Sequence, residues 1–166
     1  GGKMKIFFVV PDYFSNRPKK CMNGWGEVFM IVTANGDVLP CHSARVLPNM
    51  QFPNVRDSGL EYAWKESPAF NKYRGTDWMK GPCVTCPEKM NDLAGCRCQA
   101  FLLTGDAESA DPVCSLSPNH HLIEKAIEDS KNPVLASQPI IFRTDKNSKK
   151  YVAGDRERVE EFHALP

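Results

Sequence analysis

Seven cysteines carry most of the chemistry available to this chain. Cys21 and Cys41 flank Gly36, Cys83 and Cys86 form a Cys-x2-Cys pair, Cys96 and Cys98 follow a gap that contains Asp92, and Cys114 stands alone. A Cys-x2-Cys pair sets two thiolates on one tight turn within reach of one metal, and it serves zinc, iron-sulfur and redox-disulfide sites alike. Four-coordinate sites take donors in fours, so an odd count leaves one thiol spare or requires a donor of another kind. Cys83, Cys86, Cys96 and Cys98 would make a compact zinc knuckle, but Cys21, Cys41 and Cys114 then have no task. Spacing alone leaves structural zinc, iron-sulfur and free or catalytic thiols open.

The rest of the composition narrows the setting. A chain of 166 residues is enough for one domain, and 21 Lys and Arg against 20 Asp and Glu give a net charge of +1. That balance gives no electrostatic argument for nucleic acid or an anionic membrane surface. The fold expected is small, loop-rich and α+β: thirteen prolines and eleven glycines point to the loops, and such a fold gains from cross-links or metals. No apolar run approaches the roughly 20 residues needed to cross a bilayer. There is no secretory signal, so reduced thiols and a cytoplasmic location are expected. The chain starts Gly1-Gly2-Lys3, which suggests a C-terminal fragment of a longer protein.

Several elements must position the thiols. Lys5 to Val10 reads as a buried strand stopped by Pro11. Glu27 to Thr33 and Asp37 to Leu39 flank Ala34-Asn35-Gly36, a hairpin signal that predicts a type I′ turn and brings Cys21 and Cys41 to one end. Ser58 to Glu61 offers a capping box for a helix with Leu60, Ala63 and Trp64 on one face. A short helix is predicted from Pro68 to Arg74, with Gly75 as its stop. Ser117-Pro118 opens an amphipathic helix reaching Lys131, with Leu122, Ile123, Ala126 and Ile127 inward. Pro139 to Arg143 reads as an edge strand and Asp155 to Leu165 as a terminal helix. Lys80, Lys89 and Arg97 lie near the thiols in sequence; each reads individually as surface charge, with donation to sulfur as the alternative. His42, His120 and His121 read as ordinary packed or surface histidines, and Trp25, Trp64 and Trp78 as core or cluster-shielding residues.

Taken whole, the array Cys-x14-Gly-x4-Cys, a long gap, Cys-x2-Cys-x5-[ligand]-x3-Cys, another gap and a last Cys closely resembles the SPASM domain. This is the auxiliary-cluster extension of many radical S-adenosylmethionine enzymes. The bracketed slot, usually cysteine in that family, falls on Asp92 here. Asp92 together with the extra Cys98 resembles the radical enzymes of pyrroloquinoline quinone (PQQ) biosynthesis. FFVVPDYF (Phe7 to Phe14), Cys21-Met-Asn-Gly-Trp-Gly26 and Asp37-Val-Leu-Pro-Cys-His42 agree with that. The resemblance covers Met4 to Lys131.

It implies a SPASM-type fold, a β-hairpin followed by short helices around two iron-sulfur clusters with interleaved ligands. Cys21, Cys41, Cys96 and Cys98 would hold the first, and Cys83, Cys86, Asp92 and Cys114 the second. Both could be [4Fe-4S], or one [2Fe-2S]. A carboxylate is a harder, more exchangeable donor than thiolate, suited to tuning a potential or opening a site. The implied layout is a remnant of an upstream barrel and linker over residues 1–20, the auxiliary domain over 21–131 and an extension over 132–166. The family implies an oxidoreductase that joins a glutamate to a tyrosine of a precursor peptide by a carbon-carbon bond, with the auxiliary clusters in electron transfer. The partners implied are the barrel of the same full-length chain, the precursor peptide and a peptide chaperone. S-adenosylmethionine and a third [4Fe-4S] cluster belong to the barrel, whose Cys-x3-Cys-x2-Cys motif the sequence lacks. By itself the chain is not expected to be catalytic. The alternatives are a structural zinc module without redox function and the auxiliary domain of another peptide-modifying radical enzyme.

Overall fold

A computed structural model of the chain describes residues 11–131. The strand expected over Lys5 to Val10 and the two elements expected beyond residue 132 lie outside the described residues.

The only regular sheet among these residues is a two-stranded antiparallel hairpin, β1 (Ile31–Val32) and β2 (Val38–Leu39), with Ile31 opposite Leu39 and Val32 opposite Val38. It is far shorter than the expected strands, and its turn differs from the type I′ expectation. Gly36 has φ +94°, whereas neither Ala34 nor Asn35 has a positive φ. The Gly36 amide donates to the Thr33 carbonyl at 2.9 Å, and the Thr33 amide to the Asp37 carbonyl at 2.9 Å. This is the longer hairpin connection, in which one left-handed glycine closes the loop. The segment after β2 returns beside it: the Val38 amide donates to the Pro53 carbonyl, and the Val55 amide to the Gly36 carbonyl. Asn54 lies against Gly36, where a Cβ would meet its side-chain oxygen at 2.7 Å.

Five short helices follow: α1 (Leu60–Lys65), α2 (Pro68–Asn71), α3 (Lys89–Asp92), α4 (Arg97–Thr104) and α5 (His121–Lys131). The expected capping box is not made. Gly59 is the N-cap of α1, and the Ser58 hydroxyl donates instead to the Asn54 carbonyl at 3.4 Å. Leu60, expected inward, is exposed, while Ala63 is fully buried. Helix α2 starts on Pro68 at its first turn as expected, but ends at Asn71 rather than Arg74. Helix α5 begins three residues after Pro118 and buries Ile123. None of the described helices is long and apolar enough to cross a membrane.

Packing is divided among small clusters rather than one large core. Val38, Ala63 and Phe70 form one, flanked by Met30 and Trp64. A second joins Trp25, Ala44, Leu47 and Tyr73 to Cys21, Cys41 and Cys98. A third consists of Met79, Leu93 and Ala94, with Cys83 against it, and Trp78 packs on both the second and the third. Trp25 is buried with its indole N–H donating to the Ala69 carbonyl at 2.9 Å and its ring edge-on to Tyr73 at 5.2 Å. Phe70 is wholly buried, and Gly26 approaches so closely that a Cβ there would meet its ring at 2.8 Å. With apolar packing this fragmented, each large side chain matters. Phe70→Ala is expected to cost about 3–5 kcal/mol of unfolding free energy, read from the shift in denaturant midpoint at unchanged slope. A cost under about 1 kcal/mol would show that this cluster does not hold the hairpin to α1 and α2.

Candidate metal centre

The thiols separate into two neighbourhoods. In the first, Cys41 Sγ and Cys98 Sγ lie 3.8 Å apart. Cys98 also exchanges a hydrogen bond with Cys96, and Cys96 with Cys21, so the four sulfurs run in a row Cys21–Cys96–Cys98–Cys41. Three local features build it. Cys21 opens a 3-10 turn that leaves through Met22, Asn23 and Gly24, all with positive φ. Cys41 follows β2 and precedes a second such turn over Ala44–Val46. Cys96 is the N-cap of α4, and Cys98 lies in its first turn. Thus α4 presents two thiols to the hairpin end, which supplies the other two. A cleft lined by Cys21, Cys41 and Cys96, with Met22, Val28 and Phe29, opens on the row.

These sulfurs divide their protons unevenly. Hydrogen bonds from Cys21 and Cys98 hold Cys96 well below the usual thiol value, and a hydrogen bond from Cys98 lowers Cys41. Cys98 is raised by the bonds it gives to Cys41 and Cys96, and Cys21 by its bond to Cys96 and by burial. The row therefore alternates donor and acceptor thiols.

In the second neighbourhood, Cys83, Cys86, Asp92 and Cys114 line a single narrow cleft with Pro18, Pro82 and Ala94. Cys83 starts a 3-10 turn and Cys86 ends it. Asp92 is the last residue of α3, which stops there because Leu93 and Ala94 take left-handed conformations. Asp92 is 9% exposed, and one of its oxygens accepts the Ala94 amide at 2.9 Å. Burial pushes the Cys83 thiol up to about 11. The eight residues named from the sequence thus fall into two groups of four, with Asp92 among the thiols rather than in solvent.

The donor chemistry suits a soft transition metal: thiolates, with one carboxylate. Two thiolates about 2.3 Å from one tetrahedral centre sit roughly 3.8 Å apart, and Cys41 and Cys98 have that separation. Among the described residues, no three His, Cys, Asp or Glu side chains converge on a position for one ion. His42 is exposed, near the Phe29 ring, while His120 and His121 engage the Pro112 and Pro118 carbonyls.

Two residues at the site carry no signal in the cysteine spacing. Asp111 is 1% exposed; one oxygen accepts the Cys96 amide at 2.8 Å, and the other accepts the Val113 amide at 3.0 Å and the Gln99 side chain at 2.8 Å. Its own carbonyl accepts the Cys114 amide at 2.9 Å. One residue therefore sets the backbone at a thiol of each group. The local signal is Asp111-Pro112, an aspartate turn leading into Cys114. Gly95 packs against it so tightly that a Cβ would meet the Asp111 carboxylate at 2.5 Å and Pro18 at 2.7 Å. The other is Arg97, read from sequence as surface charge and in fact buried at 1% exposure. By contrast Lys80 is exposed and paired with Glu108 at 2.6 Å.

Residues 21–87 match the family model of SPASM, an iron-sulfur cluster-binding domain. The matched segment contains Cys21, Cys41, Cys83 and Cys86, while Asp92, Cys96, Cys98 and Cys114 follow its end. Over that segment the chain is similar to this iron-sulfur cluster-binding family.

Asp111→Ala removes the acceptor for three donors, two of them backbone amides. Buried donors left unpaired cost about 1–3 kcal/mol each. Denaturation should register a loss of at least the lower figure, and a maleimide reagent should reach both Cys96 and Cys114 faster than in the parent chain. Unchanged labelling at both would show that Asp111 does not organise the two groups.

Proposed function

We propose that this chain is an auxiliary iron-sulfur domain that holds two clusters and serves in electron transfer for a radical S-adenosylmethionine enzyme. Cys21, Cys41, Cys96 and Cys98 would hold one cluster; Cys83, Cys86, Asp92 and Cys114 would hold the other. The observation that carries this reading is the division of eight donors, contributed in interleaved order by the chain, into two separate groups of four. When bound, an iron-sulfur cluster accepts or gives up one electron at a time. The chain's own residues would fix its position, shield it with Trp25, Trp78 and Phe101, and set its charge environment.

The finer reading is a place in PQQ biosynthesis. There a barrel in the same full-length chain would form a carbon radical on a glutamate of the precursor peptide, and that radical would add to a tyrosine ring. Rearomatisation then releases one electron and one proton, and an auxiliary cluster is a suitable acceptor for that electron. The barrel, the precursor peptide and a peptide chaperone are the partners this reading requires. Its support is the carboxylate Asp92 within the second group and the Cys96-x-Cys98 pair within the first.

A second reading is a structural zinc module, favoured by the 3.8 Å separation of Cys41 and Cys98, which suits two thiolates on one metal atom. Anaerobic loading followed by iron, acid-labile sulfide and zinc analysis separates the two. Iron and sulfide in two populations of cluster are expected, and a colourless protein with zinc alone would sink the cluster reading. Cys96→Ser and Cys114→Ser should each perturb a different one of two electron paramagnetic resonance signals. Asp92→Cys and Asp92→Ala should alter the signal that Cys114→Ser alters and leave the other as it was. Indifference of both signals to Asp92 would remove it from the ligand set. For the PQQ reading, the full-length enzyme should convert precursor peptide to a product lighter by a hydrogen pair, with Glu and Tyr joined.

A further inference from the structure

Arg97 occupies a position that its neighbours in the chain do not explain. It lies between Cys96 and Cys98 in sequence, and its side chain is almost wholly enclosed, at 1% exposure. One terminal nitrogen donates to the Ala107 and Ser109 carbonyls at 2.9 and 2.8 Å, and the other to the Ala94 carbonyl. The guanidinium lies over the Trp78 ring, 4.7 Å from its centroid. Its Nε is buried and has no hydrogen-bond partner. Among the described residues, no carboxylate lies within ion-pair distance of it.

A guanidinium in this state needs a counter-charge. Removing a cation from water costs several kcal/mol even after relaxation, and three carbonyl dipoles with a ring face offset only part of that. The anionic groups whose fields reach it are Asp111, then Cys83 of the second group, then Cys96 and Cys21 of the first. Trp78, the ring beneath it, packs on the cluster that contains Cys21, Cys41 and Cys98 and on the one that Cys83 joins. Arg97 is therefore buried close to charged groups of both thiol neighbourhoods, with one N–H still to be given.

We propose that Arg97 is a fixed cation shared by the two cluster sites, which raises the reduction potential of both and donates its Nε–H to a cluster sulfur. The inference rests on the iron-sulfur reading above. One-electron reduction adds a unit of negative charge to a cluster, and a buried cation nearby favours the reduced form through the low dielectric between them. A hydrogen bond to sulfur acts in the same direction. Because one cation serves two sites, both potentials depend on one side chain, and its removal should move them in the same direction.

The test uses the 166-residue chain, loaded anaerobically and titrated under electron paramagnetic resonance. Arg97→Met is expected to shift the reduction equilibrium of both clusters at least tenfold toward the oxidised form, which is about 59 mV for a one-electron couple. A shift at one cluster only, or at neither, overturns the shared-cation proposal. A readout that does not depend on a variant folding comes from the parent chain grown with arginine carrying nitrogen-15 at Nε. A hyperfine coupling from that nitrogen to a reduced cluster is expected, and its absence from both clusters also overturns the proposal. A parent chain that takes up neither iron nor sulfide would instead overturn the underlying reading, a result distinct from loaded protein with unmoved potentials.

Discussion

The Asp111 carboxylate is the constraint on which the rest of the site depends. Both oxygens are committed, one to the amide of Cys96 and the other to Val113 and Gln99, and the next turn delivers the Cys114 amide to its backbone carbonyl. Cys96 opens α4 and belongs with the hairpin thiols, while Cys114 belongs with Cys83, Cys86 and Asp92. A single buried side chain thus fixes the start of a helix and a distant loop in one frame. Gly95 and Pro18 close over it, and the Ser115 amide donates to the Asn16 carbonyl at 3.0 Å. The carboxylate is raised from its ordinary value by burial, against the hydrogen bonds that favour the anion. Several good donors at short distance make such a burial tolerable, and they also make the arrangement rigid.

That rigidity has to stand in for a hydrophobic core. Among the described residues the apolar side chains form three small clusters, two of which include cysteines among their members or flanks. Removing the thiols from this description would leave Trp25, Ala44, Leu47 and Tyr73 packed around a gap. Metal binding and folding are consequently one process in the proposed reading: a group bound by donors from opposite ends of the sequence closes long loops that little else closes. The interleaving makes this mutual. Helix α4 and the loop that ends at Cys114 are each tied to an earlier segment, and Asp111 ties them to each other.

How far the sequence foretold this varies with the kind of signal. The cysteine array was legible because thiol spacing is a local, discrete pattern, and the structure places the eight residues named from the resemblance in two neighbourhoods. Helix α2 was legible at its start because Pro68 suits a first helical turn, and α5 because its apolar positions recur at helical spacing. The hairpin was legible as a hairpin, but its turn type was not. Asn35-Gly36 favours a type I′ turn in isolation, yet Asn54 packs on Gly36 and Asp37 gathers Asn35, Asn54 and Arg45 around it, which selects the longer connection. Ser58 was misread as a cap because α1 starts one residue later than the capping box requires, with Gly59 as its N-cap. The turn is chosen by the approach of Asn54 from a later loop, and local propensity does not contain that contact.

Arg97 shows the limit most sharply, because an arginine between two cysteines in a polar, loop-rich stretch is ordinarily surface charge. What draws it inward is helix geometry. With Cys96 as N-cap and Cys98 in the first turn of α4, the residue between them leaves the axis on an adjacent face, and that face is covered by Trp78 and by the loop from Ala107 to Ser109. The loop carbonyls turn toward it, and the ring beneath prefers a cation to a neutral group. A lysine at this position would have one point of charge to set against three carbonyls and a ring face, where the planar guanidinium meets all of them together. Burying a cation beside two groups of thiols also favours their deprotonated forms, which are the forms that bind metal. The same side chain therefore ties the packing of α4 to the charge of both sites, and neither can be altered at Arg97 without the other.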